Sequence, residues 1–285
     1  MASWGTLESV FAQTSQRGRR ILLAVTAVWA VAIVVTAFVA STPTVREQAD
    51  AAKGVEELQE AMTEGMTALA GQPYPFVITP QLLEECPITL VRDGVEHSQS
   101  LRVVTESAHR EQAAARMFEH LDTRYHFRPL SDHGGIVTTP EFLDLRLVGT
   151  GQITFSADTG CRGAEGFESR APYLDTDSVA GELDQLARIV GSVDRFDLGT
   201  AECPTSAQGP SPHAATFWAE LDFDGDPSEA MERFWQLAPE EAVRLVDNAE
   251  DAAYRDAQGD FYLMQVGKTL SEASGMTVAM TRPCG

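Results

Sequence analysis

The sequence predicts an α+β protein: an N-terminal transmembrane helix followed by two similar α-β-α-β-β-β modules with mostly antiparallel sheets. Three observations predict it. Residues 21–40, ILLAVTAVWAVAIVVTAFVA, run twenty positions without a charge. Beyond them, apolar residues switch between helical and strand spacing in an order that occurs twice. Four cysteines fall two to each occurrence.

Residues 21–40 come first. At about 1.5 Å per residue they match the ~30 Å hydrocarbon core of a bilayer. Arg17, Arg19 and Arg20 precede the segment and no Lys or Arg follows until Arg46. The positive-inside rule therefore places residues 1–20 in the cytoplasm and the remainder outside, in a single-pass topology. A cleaved signal peptide is the rival, but its apolar core spans only about 7–15 residues. The chain carries 21 Lys+Arg against 42 Asp+Glu, a net charge of −21. So acidic a surface repels nucleic acid and anionic headgroups and argues against binding either. The membrane, through residues 21–40, and an envelope protein are the expected partners, and no cofactor is implied.

The expected first module spans 44–162, a linker 163–177 and the second module 178–285. In module one a helix is expected over 46–70, with Val55, Leu58, Met62, Met66 and Leu69 on one face. A coiled-coil stalk is the alternative there, but Gly65 would occupy a d position. A strand at Leu101–Glu106, a helix at 109–122 and strands at 124–129, 142–148 and 152–158 follow, with Gly149-Thr150-Gly151 as a hairpin turn. Module two repeats the order: helix 178–191, strand Thr216–Phe223, helix 227–238, and strands 252–257, 261–269 and 276–282. Phe217, Ala219, Leu221 and Phe223 share one strand face. Trp218 lies opposite with Glu220 and Asp222, which makes it the expected exposed contact aromatic.

The repeat also bears on the cysteines. Glu85-Cys86-Pro87 and Glu202-Cys203-Pro204 lie 117 residues apart, as do Arg116-Met117-Phe118 and Arg233-Phe234-Trp235. Cys161 and Cys284 each close an alternating stretch. Four cysteines allow three connectivities. The repeat selects Cys86–Cys161 and Cys203–Cys284, bonds that persist in an oxidising compartment.

Cys86, the strand near Leu101–Glu106, the helix Arg110–Leu121, Leu143-Asp144-Leu145-Arg146-Leu147 and Ile153-Thr154-Phe155 through Gly160-Cys161 together resemble the LppA-like modules of mycobacterial cell-envelope lipoproteins. Copy two matches at Cys203, its second helix and Cys284. The resemblance implies an α+β fold and an actinobacterial envelope setting, and it implies no activity. This chain departs from the pattern in lacking a lipidated cysteine and in being doubled.

Chemistry-bearing motifs are few. Asp222-Phe223-Asp224-Gly225-Asp226 is acidic but lacks the order of an EF-hand loop. Asp226-Pro227-Ser228-Glu229 reads better as a helix N-cap followed by Pro at the first helical position. His97, His109, His120, His126 and His133, with Asp122 and Asp132, lack the spacing of a zinc helix. The chain contains no G-x-S-x-G elbow, no P-loop and no C-x-x-C pair. A non-enzymatic binding or scaffolding protein of the envelope is the first expectation. A small-molecule or lipid carrier, with an apolar cleft between the helices and sheet of one module, is the second. An enzyme with an unrecognised site is the third.

Overall fold

The computed structural model describes residues 16–40, 50–89, 92–149, 152–163, 197–203, 213–221, 226–266 and 275–284. The linker 163–177, apart from its first residue, the helix expected at 178–191 and most of the acidic run before Asp226 lie outside the described residues.

Helix α1 (Gln16–Ala40) contains the whole apolar segment. Its large apolar side chains face outward: Ile21, Leu22, Leu23, Trp29 and Ile33 are all exposed. Among the described residues no helix is long and apolar enough to cross a membrane.

Module one opens with α2 (Ala51–Leu69), capped by Asp50, whose carboxylate accepts from Ala52 N at 3.0 Å. Strands β1 (Phe76–Ile78), β2 (Leu82–Thr89) and β3 (Arg92–Val103) follow, then α3 (Ser107–Tyr125). The module ends with β4 (Arg128–Ser131), β5 (Gly134–Thr138), β6 (Asp144–Val148) and β7 (Ile153–Asp158). The antiparallel sheet has the order β1-β3-β7-β6-β5-β4, with β2 paired to the outer half of β3. Leu58, Met62 and Met66 of α2 and Met117 and Leu121 of α3 pack on Leu101, Leu145, Leu147 and Phe155. Gly65 is explained by this packing rather than by a coiled coil. A Cβ there would come within 2.9 Å of the Phe155 ring, so α2 lies too close to the sheet for a side chain at that position.

Module two contains β8 (Asp197–Glu202), β9 (His213–Leu221), α4 (Pro227–Leu237), β10 (Val243–Asp247), β11 (Asp251–Arg255), β12 (Phe261–Val266) and β13 (Met276–Arg282). Its antiparallel sheet reads β8-β9-β13-β12-β11-β10, the same path as β1-β3-β7-β6-β5-β4 element for element. The duplication therefore stands, and both disulfides join the cysteines selected by the repeat: Cys86–Cys161 and Cys203–Cys284. Asp226 caps α4, accepting from Ser228 N at 2.9 Å and from its hydroxyl at 2.7 Å, with Pro227 at the first position.

Several boundaries differ from expectation. The strand expected at Leu101–Glu106 is the end of β3, and Glu106 instead precedes α3 as its N-cap residue. Residues 124 and 125 finish α3, and the chain turns at His126 in the left-handed conformation (φ 56°) before β4 begins. β1, β2, β5, β8 and β10 were not foreseen. β1 is three residues long, β2 carries Pro87 and is exposed on both faces, and β8 (DLGTAE) has no large apolar residue after Leu198.

The modules are not beads on a string. One face of the second sheet, through Phe217, Tyr262, Met264, Val278 and Met280, packs on α4 residues Ala230, Met231 and Phe234. The opposite face meets module one. Val77 and Val104 pack there with Trp218, Val246, Ala253, Leu263 and Ala279, while Ala201, Ala214 and Phe261 join the module-one core.

The junction is closed by hydrogen bonds from each module to an edge strand of the other. β1 has no strand beyond it. Its Ile78 N–H donates to Thr216 Oγ1 at 3.0 Å, and its Phe76 carbonyl accepts from Thr281 Oγ1 at 2.7 Å. The two hydroxyls lie 2.9 Å apart on paired strands, so one proton direction runs through the chain: Ile78 N–H to Thr216, Thr216 to Thr281, Thr281 to Phe76. In return, the edge strand β8 is served by module one. The Thr200 carbonyl accepts from Gln99 Nε2 at 2.7 Å and the Glu202 carbonyl from Thr63 Oγ1 at 2.7 Å. Gln99 and Thr216 are themselves 117 residues apart, the spacing of the repeat. Bare sheet edges recruit other chains; here each copy covers the edge of the other.

Candidate binding cleft at the module junction

Where the junction face of the second sheet extends past β1, the two modules leave a cleft of about 610 Å³. That volume lies within the range of small-molecule sites, which favour boundaries between folded units. Its module-one wall is built at the end of α2. Ala70 N bonds Thr67 O at 3.2 Å, Gln72 N bonds Leu69 O at 3.0 Å, and Gly71 takes φ +72°, which turns the chain toward Tyr74 and Phe76. The module-two wall is the β11–β12 hairpin. Asp256 Oδ1 accepts from the backbone of both Gln258 and Asp260 at 2.9 Å, and Gly259 adopts φ +95°. A carboxylate that collects its own turn's N–H groups in this way fixes the hairpin tip.

The lining is amphipathic. Met66, Leu69, Tyr74, Phe76 and Phe261 are each 6% exposed or less and form the apolar part. Phe76 meets Phe261 edge to face, with centroids 5.7 Å apart, the arrangement ring quadrupoles favour. Pro283 and Cys284 close one side, so the second disulfide borders the cleft. Gln72, Glu241, Arg255 and Gln258 form the polar rim. Arg255 is half-buried, and among the described residues its guanidinium has no ion-pair partner.

Two other hollows lie on module one. The first, about 560 Å³, sits on the open face of its sheet among His126, Arg128, Asp144, Arg146 and Asp158. The second, about 710 Å³, lies beside it, between α2 and the β5–β6 connection. Burial pushes the Glu57 carboxyl up there, Glu141 adds to the effect, and Lys53 and Arg162 oppose it. Burial likewise pushes the Tyr125 hydroxyl up to about 12. Some of the charged groups there are paired. Arg124 holds both Glu60 and Glu64, and Thr138 Oγ1 donates to Asp144 at 2.5 Å. Charged side chains are denser along these hollows than along the junction cleft, whose floor is the buried Met66, Leu69, Tyr74, Phe76 and Phe261.

No family model, curated protein or solved structure matches this chain.

The sequence-derived candidates fare unevenly. Cys86, Cys161, Cys203 and Cys284 are disulfide partners. Trp218 is not an exposed contact residue. It is 9% exposed, packed against module one, and its indole N–H has no partner among the described residues. The reason is the second layer: with module one on that face, both sides of β9 are interior. The histidines do not converge. His97 is buried and bonds Gln81 at 2.8 Å, His120 pairs with Glu64 at 3.0 Å, and His133 lies 3.8 Å from Glu111. Among the described residues no group of three His, Cys, Asp or Glu could hold a metal ion. Among the described residues of module one, no apolar cleft opens between helices and sheet, since Leu58, Met62, Met117, Leu121 and Phe155 fill that space at zero exposure. Sequence reasoning missed the junction cleft. Its only trace is the pair of turn glycines, Gly71 and Gly259, each beside an aromatic-bearing strand.

Proposed function

We propose that this chain is a membrane-tethered, non-catalytic binding protein of the cell envelope that holds a ligand in the cleft between its two modules. The observation that carries the reading is the cleft itself: a concave, aromatic-floored site rimmed by a few polar groups, at the boundary of two units locked together by hydrogen bonds. The full chain, purified from its own host and examined by native mass spectrometry, should carry a co-purifying small molecule that leaves on unfolding. A clean apo mass, with no compound in a small-molecule library raising its melting temperature, would sink the reading.

The tether rests on α1. Its exposed apolar side chains require a nonaqueous partner, and the arginines before it set the orientation. Two disulfides suit the oxidising side of a membrane, and the resemblance to envelope modules agrees. Carbonate-resistant membrane association, with protease access to the modules only from outside, tests this part. Release of the chain by carbonate would refute it.

A protein partner is a second reading, favoured by one feature. β2 pairs with β3 alone, and its Leu82 and Leu83 are 55% and 51% exposed. A strand from another protein could add to this edge. Crosslinking in cells from position 83 should then trap one specific neighbour.

A further inference from the structure

The rim of the cleft says more than its floor. Its apolar lining accepts any hydrocarbon or ring, so discrimination falls to the charged groups above it. Three carry charge: Arg255, Glu241 and Asp256. Asp256 is committed to its own hairpin, accepting from Gln258 N and Asp260 N. Glu241 is exposed and solvated. Arg255 differs from both. It is half-buried, it follows Tyr254 on β11 where the strand pairs with Val243 and Phe261, and no described carboxylate holds it. A cation drawn partly out of water beside apolar surface attracts a counter-ion more strongly than one in bulk solvent. A guanidinium moreover presents a fork that grips a carboxylate or phosphate with two hydrogen bonds. Gln72 and Gln258, one from each module, add amide donors at the same rim.

We propose that the cleft takes a single-chain anionic amphiphile, its apolar body on Leu69, Tyr74, Phe76 and Phe261 and its head on Arg255. This assignment deepens the binding reading above and rests on it. The head is an oxyanion, either a free carboxylate or a phosphate monoester. The overall charge of −21 works against any anion at long range, but that repulsion is screened within about 8–10 Å at physiological salt, whereas the Arg255 contact is direct.

The test uses the full chain in lipid nanodiscs, titrated calorimetrically with dodecanoate, dodecyl phosphate, dodecanol and dodecyltrimethylammonium, each against empty nanodiscs. Both anions should saturate, with dodecanol weaker, and the tighter anion identifies the source of the head. Arg255→Gln should weaken the anions by at least about tenfold and leave dodecanol unchanged. Ala70→Trp, at an exposed position on the cleft wall, should abolish binding of every probe without altering the melting temperature. If the quaternary amine binds as tightly as the anions, or Arg255→Gln changes nothing, the anionic assignment falls while the cleft survives as a site. If no probe saturates, or Ala70→Trp leaves binding intact, the cleft reading falls as well.

Discussion

The two copies share one strand path yet bury their sheets differently. In module one the sheet has a wet face. β7 alternates strictly between buried and half-buried residues, and Arg146 points outward between Leu145 and Leu147. In module two, β12 is buried at all six positions and β13 at every position but its last. The same fold thus appears once as a two-layer and once as the middle of a three-layer arrangement, with α4 on one side and module one on the other. Alternation in a strand reports how many layers cover it, not which fold it belongs to. The asymmetry also fixes the chemistry of the contact surface. Gly199, Ala201, Ala214, Ala253 and Ala279 occupy the junction face, and side chains this small let β1 approach closely.

The largest test of this comparison removes the staples. The disulfides close loops of similar length, with separations of 75 and 81 residues, so each should contribute about 4 kcal/mol in the chain-entropy model. Cys86→Ser/Cys161→Ser and Cys203→Ser/Cys284→Ser should therefore destabilise alike. Because the cores are shared, each should lower one common urea transition. Two separated transitions would show that the copies unfold independently.

Gly199→Ala should cost about 3 kcal/mol or more by overpacking. Its Cβ would lie 1.9 Å from the Ile78 carbonyl oxygen, backbone against backbone, so neither partner can step aside as a side chain would. An unchanged urea midpoint would mean that the junction is looser than its geometry requires. Thr216→Val is a smaller perturbation that keeps the shape. It leaves the buried Ile78 N–H without an acceptor, at about 1–3 kcal/mol, whereas Thr154→Val on the wet face of module one should cost within about 0.5 kcal/mol. Equal effects would erase the distinction between the two faces.

The smallest effect is a pH dependence that arises at His97 in module one. Burial pushes the His97 imidazole below its ordinary 6.5. The unfolded chain therefore binds a proton at a higher pH than the folded chain does, and the stability tied to a neutral His97 is lost as pH falls from about 6.5 toward the folded value. His97→Gln should flatten that part of the stability–pH curve. A slope unchanged in the variant would assign it to another group.

Much of this was legible in the chain. Helix α2, helix α3, α4 and strand β13 follow from apolar spacing alone, and the repeated setting of the cysteines, Cys86 with Cys203 and Cys161 with Cys284, points to both disulfides. What was not legible has a common cause. β8 and β1 are stabilised by groups more than a hundred residues away, such as Gln99 for Thr200 and Thr216 for Ile78, and their own residues carry little strand signal. Trp218 was misread for the same reason: its neighbours Glu220 and Asp222 suggest a wet face, whereas Val77 and Val104 from the other copy cover it. The cleft was invisible because it belongs to neither copy.

The reciprocal cover of β1 and β8 also sets an order of events during synthesis. Chains are made from the N-terminus, and the first copy has all its strands once residue 158 has emerged. Its β1 edge still waits for Thr216 and then for Thr281. Until Thr281 has emerged, the nascent first copy carries an incompletely covered edge strand that must be kept from pairing with its neighbours. A chain truncated before Thr281 would keep part of that edge open, so β13 of the second copy is the strand that lets the first copy finish.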